Sequence, residues 1–143
     1  MKVAIGSDHA GYELKQQLTT WLREKFPDLK DFGTNNLDSV DYPDFAHLVA
    51  KSIEDGENDF GVLVCGTGIG VDMAANKHQG IRSALCWNKE IARLAKSHNN
   101  ANIVSLPGRF ITFEEAKEIL TEFFNTKFEG GRHQQRIDKI SCQ

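Results

Sequence analysis

The chain has 143 residues, of which 40% are hydrophobic, and its formal net charge is −3 at pH 7. This length predicts one domain with a substantial core, and the weak acidic charge gives no overall attraction to nucleic acid or to acidic membranes. The three cysteines are widely spaced and show no CxxC or Cys/His spacing, which predicts neither disulfides nor structural zinc and favours the cytoplasm. The chain has no long apolar run, so we expect a soluble protein without a membrane span.

Predicted strands and helices alternate along the whole chain. The predicted strands cover residues 3–5, 29–32, 61–64, 81–86 and 101–106. The predicted helices cover residues 11–25, 42–56, 71–77, 88–98, 112–124 and 131–140, the fifth of them beginning with a capping box of Thr112 and Glu115. Such alternation is typical of parallel strands joined by right-handed crossovers. We therefore predict a Rossmann-like three-layer α/β/α sandwich with a five-stranded parallel sheet and a C-terminal helix, forming a single domain over residues 1–143.

The third predicted strand leads into Cys65, and a loop with three glycines follows it. This loop, Gly66-Thr67-Gly68-Ile69-Gly70, joins the strand to a helix, so its backbone N–H groups can face an anion. Cys65 then lies at the carboxyl end of a parallel strand, where open α/β sheets bind ligands. A free cysteine can equally be a small buried hydrophobe. The local sequence leaves both interpretations open.

The spacing around this loop argues against three familiar phosphate-binding motifs. A Walker A loop requires Lys-Ser/Thr after its last glycine, where this chain has Val71 and Asp72. The dinucleotide-binding motif requires a glycine at the place of Val71, and a cysteine-dependent phosphatase requires an arginine there. We therefore expect neither a nucleoside triphosphate, nor a nicotinamide cofactor, nor a thiol-phosphate intermediate.

Other polar residues are expected near the same edge of the sheet. Asp8 follows the first strand and could hold sugar hydroxyls or cap the next helix, while His9 could bind phosphate or be solvated. His98 lies at the end of the fourth helix, where it could transfer a proton near neutral pH or be an ordinary surface histidine. Its neighbours Asn99 and Asn100 could be site residues or, equally, residues of a turn.

Basic residues near the C-terminus form a candidate phosphate site. Arg132 and Arg136 are one turn apart on the last predicted helix, so both guanidinium groups can bind one phosphate. The acidic neighbours Glu129 and Asp138 make a solvated charged face the alternative. Arg109 follows the fifth strand and is a third candidate at the ligand edge.

Six segments, in this order and spacing, give the chain a specific family resemblance. They are Gly6-Ser7-Asp8-His9-Ala10-Gly11, Asp41-Tyr42-Pro43, Cys65-Gly66-Thr67-Gly68-Ile69-Gly70, Ala74-Ala75-Asn76-Lys77, His98-Asn99 and Glu129-Gly130-Gly131-Arg132-His133-Gln134-Gln135-Arg136. Together they resemble the ribose-5-phosphate isomerase B family, which belongs with sugar-phosphate isomerases such as galactose-6-phosphate isomerase. The resemblance covers nearly the whole chain. It implies reversible isomerisation of ribose 5-phosphate and ribulose 5-phosphate in the pentose phosphate pathway, without metal or redox cofactor. It also implies a homodimer or homotetramer with active sites at the subunit interface.

The resemblance also implies a role for each candidate residue. Cys65 is the implied base that moves a proton between C2 and C1 through a cis-enediolate, Thr67 assists proton movement between the oxygens, and His98 assists ring opening. The implied substrate-binding residues are Asp8, His9, Tyr42, Gly66, Thr67, Gly68, Ile69, Gly70, Asn99, Arg109, Arg132 and Arg136. Among these, His9 and the three arginines match the phosphate-binding positions.

Some members of the family use a glutamate as base, at the place of Val71. The valine here favours the cysteine version, and the adjacent Asp72 is expected to be a surface helix residue or a modifier of the pocket. Two other functions stay open, namely isomerisation of a hexose 6-phosphate such as allose or galactose 6-phosphate, and sugar-phosphate binding without catalysis. We expect Cys86 in the core and Cys142 as a tail thiol.

Overall fold

The computed structural model describes residues 1–142, and Gln143, the last residue of the predicted domain, lies outside this range. The strands are β1 (Val3–Ser7), β2 (Lys30–Asp31), β3 (Phe60–Cys65), β4 (Ser83–Leu85) and β5 (Ile103–Pro107). The helices are α1 (Tyr12–Arg23), α2 (Tyr42–Glu54), α3 (Ile69–Ala75), α4 (Lys89–Ser97), α5 (Phe113–Asn125) and α6 (Arg132–Ile137). Within residues 1–142, every helix is too short or too polar to cross a lipid bilayer.

The strands form one parallel sheet in the order β2-β1-β3-β5-β4. The register places Ser7 beside Val64 and Cys65 beside Pro107, so the three central strands end side by side. The loops that follow β1, β3 and β5 therefore meet at one edge of the sheet. This architecture confirms the predicted three-layer α/β fold.

Side-chain alternation along the central strands builds a core on each face of the sheet. In β3, Val62 and Val64 pack in the core shared with α1, α4 and α5, whereas Leu63 and Cys65 pack in the core shared with α2 and α3. Burial of one valine or leucine side chain contributes about 1.5–3 kcal/mol to stability. Packing on both faces thus holds the end of β3 in place, with Cys65 on the side of α2 and α3.

All six helices differ from their predicted bounds by one to three residues, and α3 and α6 differ most. α3 begins at Ile69, two residues earlier than predicted, because Gly68 adopts a left-handed φ of 75° and serves as its N-cap. α6 ends at Ile137, three residues earlier than predicted. The predicted capping box of α5 is confirmed, since Thr112 and Glu115 each accept a hydrogen bond from the backbone N–H of the other. The earlier start of α3 brings the helix directly to the glycine loop.

Three side chains join α2 to the loop after α3. Glu54 accepts a hydrogen bond from Nδ1 of His78 at 2.7 Å, and Nε2 of His78 lies 2.8 Å from Nδ1 of His47. Glu54 also accepts the backbone N–H of Gly80 at 3.2 Å. These hydrogen bonds lower the pKa of Glu54 below its ordinary value of 4.5, and the hydrogen bond from His78 has the largest effect. The ionised carboxylate thus fastens this loop to α2.

The contribution of Glu54 to stability is expected to depend on pH. Because folding lowers its pKa, its stabilisation is fully present above about pH 4.5 and is lost as the pH falls through the lowered folded-state pKa. Urea unfolding should therefore show a difference in free energy of unfolding between wild type and Glu54→Gln that shrinks from about pH 6 to about pH 3. Glu24→Gln, at an exposed glutamate just after α1, is the control. A constant difference over this range would contradict the assignment.

Candidate active site

A cleft of about 510 Å³ opens at the carboxyl edge of the sheet. It is lined by Asp8, His9, Ala10, Tyr42, Cys65, Gly66, Thr67, Ile69, Gly70, Met73 and Arg109. Apart from Ala10 and Met73, these are residues that the sequence analysis placed in the site. The fold thus brings four separate segments of the chain to one cleft.

Cys65 is the last residue of β3 and has only 3% of its surface exposed. It packs in the core under α2 and α3 and also borders the cleft. Its carbonyl accepts the N–H of Gly108 at 2.8 Å, and the carbonyl of Gly66 accepts the N–H of Arg109 at 3.0 Å. These two hydrogen bonds join the glycine loop to the loop after β5. Cys65 therefore combines the buried position of a structural cysteine with access to the cleft.

The glycine loop presents backbone donors next to Cys65. No atom of residues 1–142 accepts a hydrogen bond from the N–H groups of Gly66, Thr67 or Gly68. The hydroxyl of Thr67 accepts the N–H of Ile69 at 3.2 Å, which closes the turn into α3. Consecutive unpaired N–H groups at the start of a helix can stabilise an oxyanion.

Gly68→Ala is expected to disrupt this loop and to destabilise the fold. An added Cβ would lie 2.6 Å from Cδ1 of Leu85 and 2.9 Å from the carbonyl carbon of Leu106, at a residue whose φ is 75°. The strained φ and the overlap together should lower the free energy of unfolding by about 2–5 kcal/mol, which denaturant titration measures. Gly130→Ala is a matched control, because Gly130 also has a positive φ of 71° but nothing lies within 4 Å of its added Cβ. Equal losses in the two variants would show that the close packing of Gly68 is unimportant.

Asp8 and His9 border the cleft with defined partners. Oδ1 of Asp8 accepts the N–H of Gly11 at 3.0 Å, directly before α1. Nδ1 of His9 accepts the N–H of Val40 at 3.2 Å. A ring nitrogen that accepts a hydrogen bond carries no proton, so the proton of the neutral His9 ring is on Nε2, where it can be donated to an anion. The N-cap of α1 is Gly11, so Asp8 does not cap the helix as one predicted alternative had it. Asp8 instead supports the turn into α1 and borders the cleft.

Tyr42 and Arg109 reach the cleft by packing on glycines of the loop. A Cβ on Gly70 would lie 2.5 Å from Cε1 of Tyr42, and a Cβ on Gly66 would lie 3.2 Å from Nη1 of Arg109. Larger residues at these two positions would therefore push the ring and the guanidinium away. Arg109 is placed beside the unpaired N–H groups, where its charge favours a bound anion.

Five predicted site residues do not line this cleft. One is Gly68, although its loop neighbours Thr67 and Ile69 do line the cleft. The other four lie elsewhere, and we call them the distal group: His98, Asn99, Arg132 and Arg136. His98 is the C-cap of α4, and its ring stacks on that of His133 with the ring centroids 4.3 Å apart. Asn99 borders a different groove. Arg132 and Arg136 are exposed on α6. Within a single chain, the predicted site residues thus form two separate groups.

The two arginines of the distal group form no ion pair or side-chain hydrogen bond within residues 1–142. Their acidic neighbours have other partners. Glu129 lies 3.8 Å from Nε2 of His98 and 3.4 Å from Nε2 of His133, and Asp138 accepts a hydrogen bond from Gln134 at 2.7 Å. Two exposed guanidinium groups without an ion-pair partner are suited to bind a phosphate.

Asp72 has an environment that the sequence did not indicate. It is half-buried in α3, where Oδ1 accepts a hydrogen bond from the hydroxyl of Ser83 at 2.6 Å, and that hydroxyl lies 2.9 Å from the hydroxyl of Ser105. Burial raises the pKa of Asp72, and the hydrogen bonds from the two serines partly oppose this effect. Asp72 is therefore not a solvated surface carboxylate, and it does not line the cleft.

The other two cysteines lie where the sequence predicted them. Cys86 is fully buried, and its burial, with a smaller effect of the Asp72 charge, raises the pKa of its thiol to about 12. Cys142 is exposed. Cys65 is thus the cysteine that borders the cleft.

Comparison with known proteins gives matches over nearly the whole chain. Residues 3–140 match the family model described as Ribose/Galactose Isomerase. A probable ribose-5-phosphate isomerase B of Mycoplasma genitalium is 46% identical, over 96% of this chain and 92% of that relative. The ribose-5-phosphate isomerase B of Escherichia coli K12 is 40% identical, over 99% of this chain and 95% of that relative.

Solved structures of similar proteins have the same fold. A ribose 5-phosphate isomerase of Thermotoga maritima superimposes with a TM-score of 0.94 and is 52% identical, covering 97% of this chain and 96% of that one. The ribose-5-phosphate isomerase B of M. genitalium, solved with bound ribulose-5-phosphate, gives a TM-score of 0.92 at 46% identity, covering 97% of this chain and 93% of that one. The chain described here belongs to the ribose/galactose isomerase family.

Proposed function

We propose that this chain is a ribose-5-phosphate isomerase, which interconverts ribose 5-phosphate and ribulose 5-phosphate. The observation that carries the proposal is the position of Cys65 at a strand end, bordering the cleft beside the unpaired N–H groups of the glycine loop. His9 and Arg109 border the same cleft and supply donors for a phosphate. The relatives carry this activity in their names, and the M. genitalium relative binds ribulose-5-phosphate in its solved structure.

In the proposed reaction, Cys65 moves a proton between two neighbouring carbons. The thiolate removes the proton from C2 of the open-chain aldose, and the electron pair of that C–H bond forms the C1–C2 double bond of a cis-enediolate, while the C1 oxygen takes up the negative charge. Thr67 assists transfer of a proton from the C2 oxygen to the C1 oxygen. The thiol of Cys65 then returns its proton to C1, which yields the ketose without net oxidation.

The glycine loop and the phosphate-binding groups supply the other contributions. The N–H groups of Gly66, Thr67 and Gly68 would stabilise the charge on the enediolate oxygens, and loss of one such donor commonly costs roughly 3–4 kcal/mol of transition-state stabilisation. A phosphate held at the far end of the sugar would fix C1 and C2 next to Cys65. Asp8 would contact the ring oxygen or hydroxyls, and the Tyr42 ring would line the site.

We place the distal group in the cleft of a second copy of the chain. The proposed roles are ring opening for His98, hydroxyl binding for Asn99 and phosphate binding for Arg132 and Arg136. Support comes from the separation of these residues from the cleft of their own chain, and from the unpaired arginines. Met73, which borders the cleft, is 64% exposed, and a partner subunit would cover it. The proposed assembly is a cytoplasmic homodimer, or a homotetramer of two dimers, without cofactor.

A substrate panel in deuterium oxide tests the proposed activity. The full chain is incubated with ribose 5-phosphate, allose 6-phosphate or galactose 6-phosphate, and both ketose formation and deuterium at C1 and C2 are measured. We expect the highest kcat/KM with ribose 5-phosphate, and deuterium in the recovered sugar phosphates. Preference for a six-carbon substrate would instead indicate a hexose-phosphate isomerase. Binding of ribose 5-phosphate to folded protein without deuterium uptake would indicate a binding module.

A further inference from the structure

Three side chains near the C-terminus place two imidazole nitrogens and a carboxylate together, outside the cleft of the same chain. Nε2 of His133 lies 3.4 Å from Oε1 of Glu129, and Nε2 of His98 lies 3.8 Å from Oε2 of the same carboxylate. One ligand atom from each of the three residues lies within 4.8 Å of those from the other two. We call these residues the His98–Glu129–His133 cluster. His133 follows Glu129 by four positions, but His98 precedes both by more than thirty, so no local spacing motif indicates the whole cluster.

The local backbone builds this cluster independently of any ligand. The N–H of Glu129 donates to the carbonyl of Ser97 at 3.0 Å, which ties the glutamate to the end of α4 next to His98. Gly130 and Gly131 then adopt positive φ values of 71° and 55°, which turn the chain into α6 and bring His133 beside His98. His133 is buried, with 9% exposure, whereas His98 and Glu129 are open to solvent on one side. The cluster therefore has one fixed member and an open side.

The donor set and its spacing suit a borderline divalent transition metal. Two imidazoles and one carboxylate, with water in the fourth position, are a common ligand set of zinc. Bonds of about 2.0–2.2 Å in tetrahedral geometry place neighbouring ligand atoms about 3.3–3.6 Å apart. The 3.4 Å separation between His133 and Glu129 already lies in this range. His98 is farther away, and its ring is stacked on that of His133 at an angle of 13°, so it must turn for both nitrogens to face one ion. In the single chain, 41% of the His98 side chain is exposed, which leaves room for that rotation.

No neighbouring positive side chain other than the two histidines forms an ion pair with the Glu129 carboxylate within residues 1–142, so the carboxylate is available as a metal ligand. The charge of Glu129 has a small electrostatic effect on Arg93, but the guanidinium of Arg93 is paired with Glu90 through a 2.7 Å hydrogen bond. Arg132 and Arg136 are exposed, and within residues 1–142 neither forms an ion pair with Glu129. The two histidines are thus the side chains within ion-pair distance of this carboxylate.

We propose that the His98–Glu129–His133 cluster binds one Zn²⁺, or a chemically similar divalent transition metal, per chain. The ligands are Nε2 of His98, Nε2 of His133 and the Glu129 carboxylate, and water completes the coordination. The ion takes no part in the isomerisation. Because it occupies His98 next to the arginines of the distal group, zinc acts as a reversible inhibitor, a consequence that rests on the proposed function of His98.

Zinc titration of the full chain tests the site without reference to activity. Protein freed of metal with EDTA and then dialysed is titrated with zinc sulfate against a chromophoric zinc indicator, in a Cys142→Ser background so that the exposed thiol does not bind the ion. We expect one zinc ion per chain, with affinity lowered at least about 10-fold in Glu129→Gln and in His133→Gln. His47→Gln alters the separate pair formed with His78 and should leave the affinity unchanged. Circular dichroism verifies folding, and the exposed Glu129 provides a variant that does not disturb the core.

The outcomes separate the metal site from the proposed activity. The proposed site would be refuted if zinc affinity were unchanged in both Glu129→Gln and His133→Gln. It would also be refuted if zinc affinity were lowered only in His47→Gln. If the site is correct, zinc lowers isomerase activity of the wild type, EDTA restores it, and Glu129→Gln requires at least about 10-fold more zinc for the same inhibition. Specific zinc binding by a protein that shows no isomerase activity even without metal would refute the proposed function and leave the metal site standing.

Discussion

Cys65→Ala is expected to lower the kcat of ribose 5-phosphate isomerisation by roughly 10²–10⁴-fold, the usual cost of losing a general base. The thiol is the group at the end of β3 that can accept and return the carbon-bound proton, and alanine cannot replace it. Substrate contacts from Asp8, His9, Arg109 and the loop N–H groups stay in place, so KM should change by less than about 10-fold. Steady-state kinetics on the purified full chain measures both constants.

The other cysteines provide the control for this result. Cys142→Ser changes an exposed thiol outside the cleft and should retain the wild-type kcat. A near-normal kcat in Cys65→Ala would exclude the thiol as the proton carrier. Loss of kcat with an unchanged far-ultraviolet circular dichroism spectrum, and with retained binding of ribulose 5-phosphate, would assign the effect to chemistry and not to folding.

The second large effect is expected from removing both arginines of the distal group. Arg132→Ala/Arg136→Ala deletes two charged donors to the phosphate, each worth about 1.5–3 kcal/mol, so kcat/KM should fall by roughly 10²–10⁴-fold, mainly through a higher KM. Arg23→Ala, at an exposed arginine in the last turn of α1, is the matched control. An unchanged kcat/KM in the double variant would remove these residues from the phosphate site.

Mixing the two inactive variants tests whether the distal group acts across subunits. Cys65→Ala and Arg132→Ala/Arg136→Ala chains are unfolded together and refolded, so that subunits exchange. In a mixed dimer one cleft carries both defects and the other carries none. Since about half of the dimers are mixed and each has one intact site of two, activity should recover to about a quarter of that of the wild type. Activity that stays at the mean of the two variants would place the distal group in the cleft of its own chain.

The fold and the cleft were largely predictable because their determinants are local. Alternating apolar segments predicted the strands and helices, and parallel strands bring their carboxyl ends to one edge. This explains why Asp8 and Cys65 border one cleft although more than fifty residues separate them. The start of α3 was predicted two residues late because the left-handed conformation of Gly68, and not the apolar pattern, sets its N-cap.

The sequence by itself determined the three-layer sandwich, the cysteine and glycine loop at a strand end, and the family, since these depend on periodicity and on ordered motifs. Only the tertiary structure showed that the distal group lies outside the cleft of its own chain, that Asp72 is half-buried against Ser83, and that Glu129 meets two histidines. These features depend on how distant segments pack and on turns such as Gly130-Gly131, whose positive φ values set the direction of α6. Local patterns carry no information about which distant side chains such a turn brings together, so this part of the site had to come from the folded chain.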